Sequence, residues 1–191
     1  MTDSLKPTPA RLLFVCTANR VRSPFAEAVA RQIIEIEHLN AVVASAGTDA
    51  RSTAAVVNMV EVAAGMGFDL RGHESRSLDT DLTETADLII TMTGEHVVDV
   101  VGAHPDAMQR TITLREFAKA TQRVGTPPWD AVSLRAWASE VTDRPISVVL
   151  DGTLDVADPI GGPKRAYRRT AREIVDLVTA ALGAPTTTSA R

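Results

Sequence analysis

Short apolar runs alternate along this chain with stretches whose apolar side chains recur every third or fourth position, a rhythm that predicts parallel strands joined by crossover helices. LLFV forms a strand ending at Cys16, and Phe25, Ala28, Val29, Ile33 and Ile36 then mark one face of a helix. AVVAS (41–45) is a second strand closed by Gly47. Val56, Met59, Val60, Ala63 and Met66 give another helical stripe, stopped by glycines at 65 and 67. ADLIITM (86–92) reads as a strand buried on both faces, followed by a short helix from Glu95 to Val101, and TITL (111–114) as a fourth strand. Tyr167, Ala171, Ile174, Leu177, Val178 and Ala181 line the buried side of a last helix. The expected fold is α/β, a three-layer sandwich with a central four-stranded parallel sheet and helices on both faces.

Between 118 and 150 the rhythm changes, and this segment is expected to be a helical insertion. PPWDAVSLRAWASEV predicts a helix after a proline pair, and ISVVL (146–150) an extra edge strand. The chain's two tryptophans, Trp129 and Trp137, both fall here. They are expected to fill a satellite core, the alternative being a segment lying over the active site. The 191 residues suit one domain, with flexible tails at 1–9 and 184–191.

Composition narrows the function. A net charge of −4 argues against bulk binding to nucleic acid or an anionic membrane surface, while leaving room for a small anion held locally. The N-terminal MTDSLKPTPAR has no apolar stretch of signal-peptide type and no later run is long enough to span a bilayer, so a cytoplasmic protein is expected. A single cysteine excludes an intrachain disulfide and any cysteine-rich metal site. His38, His73, His96 and His104 show no metal-ligand spacing, so neither metal nor cofactor is expected.

That cysteine stands where the chemistry concentrates. Cys16 ends the first strand, Arg22 follows six residues later, and Ser23 and Pro24 open the helix. A loop turning from strand to helix aims backbone N–H groups inward, the helix adds its positive end, and an arginine supplies a planar fork matched to phosphate oxygens. The same donors stabilise a thiolate, the reactive form of cysteine. They prepare attack on an electrophile rich in anionic oxygens, with phosphoryl transfer through a cysteinyl-phosphate as the natural candidate.

Four motifs in order give the chain a family likeness: CTANRVRSP, then SAGT at Ser45–Thr48, then GHESRSL with His73 and Arg76, then DPIGG before the last helix. Over about residues 10–117 and 151–183 it resembles the low-molecular-weight protein tyrosine phosphatases, which share their fold with the thioredoxin-coupled arsenate reductases. The resemblance implies that Cys16 is the nucleophile, Arg22 the phosphate clamp, and Asp158 the acid that protonates the leaving group and then activates water. Asp151 and Asp155 are the fallback acids. Thr17, Ala18, Asn19, Arg20 and Val21 complete the phosphate loop, and Ser23 donates its hydroxyl to the sulfur. Asn19 is implied to brace the loop through side-chain hydrogen bonds to Ser45 and His73. The substrate class so implied is a phosphorylated protein or small phosphomonoester, the phosphoprotein being supplied by a bacterial tyrosine kinase system.

Departures from the family pattern sharpen these expectations. Val21 replaces the second loop cysteine, so an oxidised Cys16 has no neighbour to form a disulfide with. Ala18 replaces a glycine, which costs stability if that position needs a positive φ. Arg20 puts a cation at the mouth, favouring acidic or doubly charged substrates, and Ile160 stands where an aromatic residue usually follows Asp-Pro. Lys164, Arg165, Arg168 and Arg169 open the last helix and read as a solvated basic face. A protein tyrosine phosphatase is the leading expectation. The alternatives are an arsenate reductase resolved by an external low-molecular-weight thiol and a non-catalytic phosphate- or phosphoprotein-binding module.

Overall fold

The computed structural model describes residues 7–184. Strands β1 (Ala10–Cys16), β2 (Ala41–Gly47), β3 (Leu88–Thr91) and β4 (Thr111–Thr113) form one sheet in the order β2-β1-β3-β4, every neighbouring pair parallel. Eight α-helices accompany them among the described residues, α1 (Arg22–Ile36), α2 (Val57–Gly65), α3 (Thr80–Thr85), α4 (Gly94–Ala103), α5 (Leu114–Val124), α6 (Ala131–Val141), α7 (Ile146–Val149) and α8 (Lys164–Ala181), with a short 3-10 helix at Pro105–Arg110.

The pleat divides the apolar runs between two cores. Leu12, Phe14, Leu88, Ile90 and Ile112 pack against Phe25 and Val29 of α1, Phe117 of α5 and Tyr167, Ile174 and Val178 of α8. Leu13, Val15 and Ile89 point the other way, onto Val100 of α4 and Ala107. Both faces of β1 are therefore covered, which is why its sequence is an unbroken apolar run rather than an alternating one. The chain leaves β1 toward β2 on one side and returns to β3 on the other. That reversal opens a crevice at the C-terminal edge of β1, where the loop beginning at Cys16 lies.

Three expectations are corrected. ISVVL is not an edge strand: Pro145 leads into the single helical turn α7, where Val149 is buried while Ile146, Val148 and Leu150 stay partly exposed. So short an apolar run fits a strand or a helical turn equally, and the fixed φ of proline favours the turn. The N-terminal tail is pinned at its inner end, since Pro9 bridges Asp130 and the Thr8 carbonyl accepts a hydrogen bond from Ala131 N–H at 3.1 Å. Positions 1–6 and 185–191 of the expected tails lie outside the described residues. The boundary at 118 falls inside α5, which carries on to Val124 with Phe117, Ala118 and Ala120 in the main core.

The Trp-bearing segment stands apart from the crevice. Asp130 pairs with Pro9 and Arg135 with Asp87, both at the N-terminal edge of the sheet. Trp137 meets Phe117 edge-on at 5.6 Å between ring centroids, and both tryptophans pack against the main core, not a satellite. The segment's end returns to the C-terminal edge, where Arg144 pairs with Glu116 of α5 at 2.8 Å and a Cβ on Gly94 would come within 2.0 Å of the Val149 carbonyl oxygen of α7.

Candidate functional site

The loop from Cys16 to Arg22 turns directly into α1, whose first residues have no side-chain cap. Its leading N–H groups are thus left to an oxyanion in the loop. Cys16 Sγ lies 3.0 Å from Ser23 Oγ, with both residues buried. Gly47 allows the loop to sit this close to β2, because a Cβ there would meet the Thr17 carbonyl oxygen at 2.5 Å and Asn19 N at 2.9 Å. This is the physical content of the glycine in SAGT.

Asn19 is the brace. It is fully buried, with a left-handed backbone at φ +50°, which asparagine tolerates better than most residues. Its amide donates to Ser23 Oγ at 2.9 Å and to Ser45 Oγ at 2.8 Å, while its carbonyl oxygen accepts from Arg76 N–H at 3.0 Å. The Ser45 hydroxyl donates in turn to Glu27 Oε2 at 2.6 Å. A carboxylate only accepts, so the direction of the chain is set from that end. Ser23 receives from Asn19 and has its proton free for the sulfur or for the Ala46 carbonyl 3.3 Å away. His73 departs from expectation: its Nε2–H donates at 2.7 Å to the Asn19 backbone carbonyl, not to the side chain. Ala18 carries no positive φ, so the exchange of glycine for alanine strains nothing.

Arg22 is 4% exposed. One terminal nitrogen donates to Asp158 Oδ2 at 2.6 Å and the other to the Val156 carbonyl at 3.2 Å, while its buried Nε has no partner among the described residues. The positional logic of DPIGG thus brings Asp158 into the crevice, although the two residues are far apart in sequence. Asp158 is partly exposed and its second oxygen accepts from Ile160 N–H at 3.1 Å. The fallback acids are engaged elsewhere: Asp155 accepts from Gly94 N–H at 2.8 Å at the start of α4, and Asp151 closes a turn onto Thr153. Arg20 lies on the wall, its Nε donating to the Ala54 carbonyl at 2.9 Å, and Val21 is buried in the core. Ile160 is half exposed.

One participant escaped the sequence reading. His96 lies buried in the first turn of α4 with Nε2 2.8 Å from Thr17 Oγ1 and Nδ1 2.8 Å from Thr93 Oγ1. Burial pushes its pKa down to about 4, assisted by the Arg22 charge and opposed by Asp99, Asp155 and Asp158. The imidazole is therefore neutral at pH 7, donating through one nitrogen and accepting through the other. The available signal was topological: Thr93 caps the helix after β3, beside β1 and at the same edge of the sheet.

Known proteins resemble this chain in sequence and fold. The family model described as low molecular weight phosphotyrosine protein phosphatase matches residues 11–127. The chain is 31% identical over 172 residues to a protein-arginine-phosphatase of Geobacillus stearothermophilus, covering 89% of this chain and 92% of that one. It is 34% identical over 112 residues to the low molecular weight protein-tyrosine-phosphatase Etp of Escherichia coli, covering 56% of this chain and 70% of that one. Among solved structures, the low molecular weight protein tyrosine phosphatase of T. tengcongensis superposes with a TM-score of 0.71 at 27% identity, over 91% of this chain and 98% of that one.

Proposed function

This chain belongs to the low molecular weight phosphotyrosine protein phosphatase family, a family of hydrolases, and from that premise we propose how its own residues divide the work. A phosphate monoester seats its oxygens on the loop N–H groups and on Arg22. Cys16 Sγ attacks phosphorus, the bond from phosphorus to the leaving oxygen breaks, and Asp158 gives that oxygen a proton. Water then attacks the cysteinyl-phosphate, Asp158 takes the water's proton, and the phosphorus–sulfur bond breaks. Ser23 stabilises the departing thiolate with its hydroxyl. General acid catalysis of this kind contributes about 10²–10⁴-fold.

The observation that carries this reading is the buried Arg22, with an Nε that lacks a partner among the described residues and a terminal nitrogen held by Asp158. A buried guanidinium N–H left open is costly unless a ligand completes it, and a phosphate oxygen supplies that acceptor. The substrate's oxygens also compete with Asp158 for Arg22, so binding releases the carboxyl for proton transfer.

Phosphotyrosine in proteins is the substrate we favour. Arg20 at the mouth repels the guanidinium that a phosphoarginine carries and attracts acidic surroundings, so the likeness to arginine phosphatases does not settle the substrate. A bacterial tyrosine kinase system supplying the phosphoprotein fits relatives that are themselves bacterial. The lone cysteine suits a reducing cytoplasm, and no helix among the described residues is long and apolar enough to cross a membrane. The test is hydrolysis of p-nitrophenyl phosphate, expected to be inhibited competitively by vanadate and lost in Cys16→Ser. A panel of phosphotyrosine, phosphoserine and phosphoarginine peptides ranks the substrates, and preferred turnover of phosphoarginine would overturn the role given to Arg20.

A further inference from the structure

Five of the chain's twenty basic residues, Lys164, Arg165, Arg168, Arg169 and Arg172, fall within nine positions of α8 that contain no acid, on a protein whose net charge is −4. All five are exposed. Lys164 pairs with Glu61 of α2, but the four arginines have no ion pair among the described residues. Solvated surface charge is ordinarily interspersed in sign, and an uncompensated row costs repulsion that a partner of opposite charge relieves. Of the acids beside the row, Glu61 is held by Lys164 and Glu173 by Arg115 at 2.7 Å, which leaves Asp176 one turn beyond.

The place of this row in the fold gives it a direction. Helix α8 begins after the turn that follows Asp158, where Gly162 N–H donates to the Pro159 carbonyl. The basic row thus opens six positions after the proposed catalytic acid, across that turn. Between α2 and α8 runs a cleft of about 290 Å³, lined by Val62 and Met66, with Lys164, Arg168 and Arg172 along the α8 side and Glu61, already paired to Lys164, on the α2 side. An apolar floor with cations along one side suits an extended peptide carrying carboxylates. From Arg165 to Arg172 the helix rises ~10 Å, the span of about three extended residues.

Resting on the phosphatase reading, we propose that the exposed basic face of α8 docks an acidic segment of the phosphoprotein substrate, a few residues from the phosphorylated side chain. The cradle supplies the chemistry and this row supplies selection among phosphoproteins. Electrostatic docking of this type acts mainly on association, so it appears in kcat/KM and weakens with salt.

Two phosphotyrosine peptides test it, one with four glutamates placed four to seven residues from the phosphotyrosine and one with glutamines in their place. The expected result is a kcat/KM for the acidic peptide ~10-fold or more above its neutral twin, falling toward it as ionic strength rises. The triple variant R165E/R168E/R172E erases that preference while leaving p-nitrophenyl phosphate turnover within about twofold, and R165Q/R168Q/R172Q gives an intermediate loss should the reversal impair folding. Fluorescence anisotropy of the same peptides on Cys16→Ser protein reads the surface without turnover. Equal binding and turnover of the two peptides, or equal slowing of both in the variants, overturns the docking surface. So does a preference that persists in the variants while their binding to phosphatidylglycerol vesicles or RNA is lost. Failure of p-nitrophenyl phosphate hydrolysis by the wild-type chain instead overturns the phosphatase reading.

Discussion

Between Cys16 and Ser23 the backbone is fixed from several directions. Gly47 admits it against β2, Asn19 ties it to Ser45 and Arg76, and His73 and His96 hold it from either side. Residues 157–160 are held at fewer points: Thr170 Oγ1 donates to the Ala157 carbonyl at 3.3 Å and Pro159 is buried, but Asp158 itself is partly exposed and anchored by its ion pair to Arg22 of the other region. The rigid region suits an anion cradle, whose donors must stand in place before charge develops. The looser one suits a group that must change partner, from Arg22 to a leaving oxygen and then to water. A preorganised cradle and an exchangeable acid are thus separated between two stretches of chain joined by one guanidinium.

Asp158→Asn breaks that comparison most directly. Without a proton to give, kcat for phenyl phosphates is expected to fall by about 10²–10⁴-fold. Affinity for inorganic phosphate is expected to hold or tighten, because the carboxylate no longer competes for Arg22. Steady-state kinetics with phosphate as a competitive inhibitor checks both. A large loss of phosphate affinity would show that Asp158 orders the cradle instead of waiting beside it.

Asn19→Ala acts on the other region. It strands Ser45, Ser23 and the Arg76 N–H in a site closed to water and removes a residue suited to the left-handed backbone. A stability loss of about 2–4 kcal/mol is expected, together with weakened phosphate binding. Denaturant unfolding with and without phosphate separates the two effects. Full stability with intact phosphate binding would remove Asn19 from its role as brace.

His96 predicts a pH dependence. Its pKa stands at about 4 in the folded protein against an ordinary value of 6.5, so the unfolded chain binds the proton first as pH falls. Stability is therefore lost progressively from about pH 6.5 down to about pH 4, by roughly 3 kcal/mol at the low end. His96→Gln keeps polar contacts to Thr17 and Thr93 within reach and removes the titration. Its unfolding free energy should be flatter than wild type across that window, and an unchanged slope would assign the loss to other groups.

How much of this was legible in the sequence follows from the same contrast. The cradle is local: Cys16, Asn19, Arg22 and Ser23 lie within eight positions, so strand and helix signals placed Cys16, Arg22 and Ser23 at one turn. The roles of Asn19 and Ser23 came from the family resemblance, and parallel strands followed from alternating periods. Ser45 and His73 were placed beside Asn19 by motif, but His73 was assigned its side chain and not its backbone carbonyl, because which atom of Asn19 faces which neighbour depends on a left-handed backbone that spacing does not reveal. His96 was missed because the side chain meets Thr17 across the edge of the sheet, a contact set by strand order. ISVVL misled because four apolar residues carry no period of their own.

Trp137→Phe sharpens the comparison from the side where least should happen. Helix α6 begins at the edge of the sheet opposite the cradle, and Trp137 packs on Phe117 with its buried Nε1 unpartnered among the described residues. Two effects oppose one another. Losing an unsatisfied N–H stabilises by about 1–3 kcal/mol, while the smaller ring forfeits contact with Phe117 and leaves a void of comparable cost. The net change in unfolding free energy is expected to stay within about 1 kcal/mol, with kcat/KM for p-nitrophenyl phosphate unaltered. Thermal unfolding alongside the kinetic assay reads both. A kinetic defect without a stability change would mean that the tryptophan segment communicates with the crevice through α7 and Gly94 or through the Arg144–Glu116 pair, where it returns to the cradle's edge of the sheet.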